Sequence, residues 1–388
     1  MTRRGWCPSL YEPMQAADGL LVRVKPTNSS LGAREAKLLA AAATRFGRGA
    51  IELTNRANLQ FRGLTEASAT AFANVVLAAG LASPDPSLER RRTLIVSPLL
   101  GIDPTIDPAT SAIANAITAL LADPAFADLP GKFGITLDGG GHLPLDGAPG
   151  DIVVSLCGQA SLRLEGSNLR ATCPADTLIP ALRRLITHFL GDPTPHRIRD
   201  IDPAAAFAAA NLTAEPHPTP QHHAAPIGRI GMLGFGIGLP FGQIDAAGLS
   251  TLADIALSNG DGTIRLTPWR TLILPGVQTI EAPDLITDPA SPLLRIDACT
   301  GSPACSQSTV TTRADANWLA KAGIPAGIAL HISGCPKGCA HPASADLTLV
   351  GDTGRYNLIR HGRADAEPTL RHLTLPDIAA LLAAESPT

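Results

Sequence analysis

Several features that would assign a function class are missing from this chain. No apolar run approaches the roughly 20 residues needed to span a membrane. The opening MTRRGWCPSLYEP has charge but no hydrophobic core behind it, so no secretory signal is expected. Charge of one sign is not in excess. The 31 Lys+Arg against 34 Asp+Glu leave a net charge of −3, which gives no reason to expect binding to nucleic acid or an anionic bilayer, although arginines cluster locally at Arg90-Arg91-Arg92 and a pocket can be basic in a neutral protein. Cysteines number seven, an odd and unevenly spaced set that argues against a disulfide framework and fits a reducing compartment. The expectation is a soluble cytoplasmic protein. What is abundant is apolar: 45% of the 388 residues are hydrophobic, enough for a large interior, and the length calls for two or three packed units.

The chain repeats itself. Residues 31–64 moved forward by 213 positions fall without a gap on 244–277. Ile51 meets Ile264, Leu53-Thr54 meets Leu266-Thr267, and Gly47, Gly49 and Gly63 meet Gly260, Gly262 and Gly276. Each copy reads as a strand, an amphipathic helix with apolar residues at i, i+3 and i+4, a Gly-containing turn and a further strand. In the first copy that last strand is expected to run through IELTNRANLQFRGL, and a second helix is expected at about 65–81 with Thr65 as its N-cap. Between the copies, Asp107-Pro108 opens a helix, strands are expected at 151–156 and 161–166, and a helix near 177–190 stops at Gly191. The stretch EPHPTPQHHAAP (215–226) has four prolines in twelve residues and reads as a linker, with His217, His222 and His223 solvated.

Four cysteines carry the clearest chemistry. Cys299 and Cys305 are spaced C-x5-C, and Cys335 and Cys339 come later as C-x3-C. Four converging thiolates select zinc or an iron–sulfur cluster, and the wide first spacing fits a zinc knuckle less well. Gly301, Gly334 and Gly338 would let backbone N–H groups approach cluster sulfides. Cys7, Cys157 and Cys173 lack such company and read as small buried hydrophobes. The glycine-rich GRIGMLGFGIGLPFG (228–242) has Leu239 where the dinucleotide fingerprint needs Gly or Ala, so no nucleotide site is expected there.

C-x5-C … C-x3-C behind a duplicated unit resembles the sulfite and nitrite reductase family. The resemblance extends to Arg56 in LTNRANLQFRG, Arg92 in RTLIVSPLLG and Lys132 in LPGKFG. It implies an α+β fold of two pseudo-symmetric ferredoxin-like halves, a [4Fe–4S] cluster on Cys299, Cys305, Cys335 and Cys339, and a tetrapyrrole between the halves. Arg56, Arg92 and Lys132 would then bind carboxylates, a task suited to fixed guanidinium groups. The implied units are 1–85, the first half; 86–214, a tetrapyrrole-contacting α/β unit; 215–226, the linker; 227–290, the second half; and 291–388, the cluster unit.

Two features depart from the reductases. Gly134 stands where sulfite reductases have a second lysine, and the tail GCPKGCAHPASADLTLVG differs from theirs. With the opening GWCPSLYEPMQAADGLLVRV, these make the chain most similar to the precorrin-3B synthase branch of the family. That likeness implies a monooxygenase of cobalamin biosynthesis. Its members hydroxylate precorrin-3A with dioxygen at the meso carbon between rings A and D and close a γ-lactone. It also implies a mononuclear non-haem iron, for which His331 and His341 are candidate ligands against a structural role, and NADH-derived electrons arriving through a separate reductase or ferredoxin-like donor. The alternatives are a sirohaem-dependent sulfite or nitrite reductase and a non-enzymatic iron–sulfur or zinc protein.

Overall fold

The 213-residue spacing of the sequence repeat recurs in the geometry. The computed structural model describes residues 8–192, 197–217 and 224–384. The helices Ala33–Phe46 and Ala246–Asn259 are of equal length and in register, as are the strands Ala50–Leu53 and Thr263–Leu266. Unusual backbone repeats too: Asn28 and Phe241 have φ of 53° and 55°, and Ala57 and Arg270 have 52° and 58°.

Each copy builds a five-stranded sheet, but neither builds it alone. The first sheet runs Met14–Ala16, Gly19–Val24, Leu59–Leu64, Ala50–Leu53 and then Gln243–Asp245, borrowed from the second copy. The second runs Gly228–Ile230, Gly234–Gly238, Thr271–Pro275, Thr263–Leu266 and then Ser30–Gly32, borrowed from the first. The exchange is antiparallel and in register, with Ile244 opposite Ile51 and Leu31 opposite Ile264. The two repeat helices pack on each other between the sheets. Ala36, Leu39 and Ala40 share one core with Leu252, Ala253 and Ala256, the alanines letting the axes approach closely. Leu39 and Leu252 are both fully buried, so truncating either to alanine costs about 2–5 kcal/mol.

Local differences from the sequence reading have identifiable causes. IELTNRANLQFRGL is a hairpin rather than one strand: it breaks after Leu53 and resumes at Leu59. Thr54 Oγ1 accepts from the backbone N–H groups of Arg56 and Asn58, and Ala57 takes a left-handed conformation between them. The helix after Asp107 begins at Thr110, because the Asp107 carboxylate first turns the chain by accepting from Ala109 N–H. The helix Glu66–Ala78 is capped by Thr65, whose hydroxyl accepts from Ser68 N–H while Ser68 Oγ accepts from Thr65 N–H. At the supposed linker, Ala214–Pro216 forms an edge strand on Leu169–Cys173. Proline is tolerated there because an edge leaves one side unpaired. His222 and His223 lie outside the described residues, as does Cys7, and Cys157 is exposed rather than buried.

The remaining chain forms two further sheets that also resemble each other. Leu94–Val96, Ile135–Asp138 and Ile152–Cys157 pair in parallel, then Gln159–Leu164 and Leu169–Cys173 antiparallel. Ile296–Ala298, Leu330–Ser333 and Ala345–Asp352 pair in parallel, then Arg355–Gly362 and Leu370–Leu373 antiparallel. A helix connects the first two strands in each: Thr110–Ala122 and Thr312–Ala322.

Candidate active site

Parallel strands deliver the cysteines to one edge. Ile296–Ala298 ends at Cys299 and Leu330–Ser333 ends just before Cys335, so both loops emerge from the carboxyl ends of neighbouring strands, the usual ligand edge of a parallel sheet. Gly334 N–H donates to Cys299 Sγ at 3.1 Å, and Thr312 Oγ1 donates to the Cys299 carbonyl at 2.6 Å. Glycine is required at 334, because a Cβ there would lie 2.2 Å from Ser308 Oγ. Cys305 is held in a turn by its N–H to the Gly301 carbonyl at 2.8 Å. Cys339 is exposed and the other three are half-buried; partial burial, and then Cys335, Cys299 and Cys305, push the Cys339 thiol up. The donor set and its glycine cradle fit a thiolate-bound cluster. Among the described residues, no three His, Cys, Asp or Glu side chains are arranged to hold a single metal ion.

The two histidines beside the loops differ. His341 Nδ1 lies 2.9 Å from the Asp297 carboxylate and Nε2 faces the Ser344 carbonyl. His331 is fully buried, and neither ring nitrogen has a hydrogen-bond partner among the described residues. Burial, and then His341, hold its pKa down at about 4, so it is neutral.

The expected cations are not all in one place. Arg56 lines a cavity of about 600 Å³ together with Arg23, Lys25 and Arg90. Arg92 faces a neighbouring cavity of about 340 Å³ and is engaged by Glu89 at 2.6 Å, the Lys25 carbonyl and Thr27 Oγ1. Lys132 contributes its carbonyl, which accepts from Arg56 Nη1. Gly134 has a structural reason: a Cβ there would sit 3.1 Å from Arg56 Nη1, so its absence lets the guanidinium lie across it. Asp151, buried below, receives Gly134 N–H at 2.9 Å and lies 3.8 Å from Arg56.

The sequence reading missed Arg23, Lys25 and Arg90 as cavity cations. The signal was present for the first two, since the i, i+2 spacing in VRVK places them on one face of a strand. Arg23 Nη2 donates to Gln60 Oε1 at 3.0 Å and Arg90 Nη2 to the Ala127 carbonyl at 2.7 Å, and the buried Nε of each has no hydrogen-bond partner among the described residues. Arg23 also lines a second cavity of about 290 Å³ that reaches Cys299 and Cys339. The cation-lined cavity and the cysteine site therefore meet at this residue.

Buried charge locks the two regions together. Glu52 accepts from Arg313 at 2.8 Å and Gln60 at 2.8 Å, and lies 3.5 Å from Arg62. Arg62 in turn forks onto Asp18 and donates to the Ala304 carbonyl beside Cys305. Burial alone would raise the Glu52 pKa, but Arg313 and Arg62 outweigh it and hold the carboxyl below its ordinary value.

Comparison with known proteins agrees with this architecture. The nitrite/sulfite reductase ferredoxin-like half-domain model matches twice, at residues 12–79 and 231–291. A precorrin-3B synthase from Sinorhizobium sp. is 34% identical over 95% of this chain and 85% of its own length. The ferredoxin–nitrite reductase of Synechococcus elongatus is 25% identical over 90% of this chain and 79% of its own length. The solved structure of the Mycobacterium tuberculosis NirA protein superposes with a TM-score of 0.66 at 20% identity, covering 92% of this chain and 77% of that one, and so shares the fold. With its two ferredoxin-like halves and its identity to the Sinorhizobium enzyme over nearly the whole length, the chain belongs to the precorrin-3B synthase family of the nitrite/sulfite reductase superfamily.

Proposed function

We propose that this oxidoreductase is a precorrin-3B synthase, hydroxylating precorrin-3A with dioxygen at the meso carbon between rings A and D and closing a γ-lactone from the ring A acetate. The observation that carries the reading is the juxtaposition of a cation-lined cavity of about 600 Å³ with the four-cysteine site, the two meeting at Arg23. A cavity of that size suits a macrocyclic ligand. Arg23, Lys25, Arg56 and Arg90 supply several positive charges against the peripheral acetates and propionates of a tetrapyrrole.

Cys299, Cys305, Cys335 and Cys339 would hold a [4Fe–4S] cluster, which when bound supplies single electrons. One oxygen atom enters the product and the other leaves as water, taking two electrons and two protons that a separate donor protein provides from NADH. The chain's own part is orientation: fixed guanidinium groups hold the macrocycle so that one meso carbon faces the cysteine side, which lowers the entropic share of the barrier. The Glu52–Arg313–Arg62 network keeps the cysteine segment in place against that cavity. The reducing conditions that keep cysteines free as ligands suit a reaction in the cytoplasm. No helix among the described residues is long and apolar enough to cross a membrane.

The test is anaerobic purification followed by incubation with precorrin-3A, dioxygen and a reductant. A hydroxylated lactone seen by mass spectrometry is the expected outcome. An unchanged macrocycle beside a redox-active cluster would refute the assignment, and sirohaem recovered by acid–acetone extraction would replace it with sulfite or nitrite reduction.

A further inference from the structure

The hairpin turn that carries Arg56 recurs in the second copy, but its charge has moved by one residue. Trp269 occupies the Arg56 position, and Arg270 occupies that of Ala57. Both turns are fastened alike: Thr54 Oγ1 accepts from Asn58 N–H at 3.2 Å, and Thr267 Oγ1 from Thr271 N–H at 3.3 Å. Both place the residue in question in the left-handed region, at φ 52° and 58°. That conformation is strained for any residue with a side chain. Ala57 is buried in the core and contributes packing there. Arg270 does not pack in this way.

The Arg270 side chain instead reaches toward the sulfur site. With Cys299 and Cys339 it lines the cavity of about 290 Å³, and its Nη1 lies 3.7 Å from the Asp297 carboxylate. Asp297 precedes Cys299 by two residues and binds His341, which lies two residues beyond Cys339. Room for the arginine stem is provided by Gly242, where a Cβ would lie 2.9 Å from Arg270 Cδ. Each half thus places a cation at this turn, Arg56 over the large cavity and Arg270 beside the cysteines.

We propose that Arg270 is a positioning residue that sets the reduction potential of the group held by the four cysteines. Reduction adds one electron and changes no bond, so the thiolate site gains one negative charge. The Arg270 guanidinium offsets that charge, and Asp297 moderates the effect. The inference rests on the assignment of a cluster to the four cysteines.

The experiment uses the anaerobically purified full chain and the variants Arg270→Gly, Arg270→Gln, Arg270→Lys and Asp297→Asn. Each is assayed for iron and acid-labile sulfide and then titrated potentiometrically with an electron-paramagnetic-resonance readout. Arg270→Gly and Arg270→Gln are expected to lower the midpoint so that the reduced fraction at a fixed potential falls roughly tenfold, about 59 mV for one electron. Arg270→Lys keeps the wild-type midpoint, and Asp297→Asn moves it upward. Arg270→Gly is expected to fold at least as well as the wild type, since glycine suits the turn. A full cluster complement with an unmoved midpoint in Arg270→Gly overturns the role of Arg270 alone. Should that variant lose its cluster, a midpoint in Asp297→Asn that stays or falls overturns it. Wild-type protein without acid-labile sulfide overturns the cluster assignment and this inference together.

Discussion

The strand ends at Ser97 and Cys299 occupy corresponding places in the two mixed sheets, yet one closes a loop and the other opens a site. In the first sheet, Ser97 Oγ accepts from Gly139 N–H at 2.8 Å. In the second, Cys299 Sγ accepts from Gly334 N–H at 3.1 Å. Both contacts join the end of the first parallel strand to a glycine just past the second. Beyond these contacts the loops diverge. In the first sheet the loop interior is filled by Asp103, whose side chain is fully buried and accepts from His142 N–H, His142 Nδ1 and Thr105 Oγ1. In the second, four thiols occupy the corresponding region, and a sulfur can do there what a hydroxyl oxygen cannot: bind a soft metal. One scaffold thus carries a self-sufficient lock in one half and, in the other, the thiols proposed above as cluster ligands.

The strongest way to break the comparison is to make the second half resemble the first. Cys299→Ser keeps an acceptor for Gly334 N–H, so the fold should survive by circular dichroism while iron and acid-labile sulfide fall to background and product formation stops. Next in size is the opposite test, Asp103→Ala, which removes a buried carboxylate that accepts from the exposed Thr105 and His142 and should cost about 1–2 kcal/mol in denaturant unfolding, without changing sulfide content. Burial would raise the Asp103 pKa, but hydrogen bonds from Thr105 and His142 outweigh it and hold the carboxyl well below its usual range. Its contribution is therefore present above the ordinary carboxylate pKa of about 4 and disappears as pH falls toward the depressed folded value. A pH titration of stability should show a steeper loss over this range in the wild type than in Asp103→Ala, the remainder coming from other depressed carboxyls such as Glu52. The smallest effect is expected from Arg56→Gln, which removes one of the charges lining the cavity proposed for the substrate and should weaken macrocycle binding roughly tenfold, measured by equilibrium titration with precorrin-3A.

Much of this was legible in the sequence because repeats and ligand spacings are local in the chain. The gapless 213-residue register placed both repeat helices correctly, and C-x5-C with C-x3-C marked segments that the fold brings to one edge. What escaped detection was non-local. Nothing in IELTNRANLQFRGL shows that Ala57 turns left-handed, since the alternation of Leu53, Ala57, Leu59 and Phe61 continues across the break. Arg90 stood in an Arg-Arg-Arg run, but only the packed structure separates it from Arg91, which points at Ala122, and Arg92, which binds Glu89. Arg270 is unmarked in the sequence because the repeat aligns it with Ala57 and sets Trp269, not an arginine, opposite Arg56.

The exchange of Ser30–Gly32 and Gln243–Asp245 between the sheets has a consequence for how the chain is made. As the polypeptide leaves the ribosome, Ala50–Leu53 has no outer partner until residue 243 has been synthesised. At typical synthesis rates that interval is roughly 10–40 s. Throughout it, an apolar strand edge is open to pairing with other nascent chains. Native contacts of such long sequence separation form slowly, so yield in cells should depend on chaperone supply and temperature more than the stability of the finished molecule would indicate. Neither half, expressed alone, has the strand that closes its sheet.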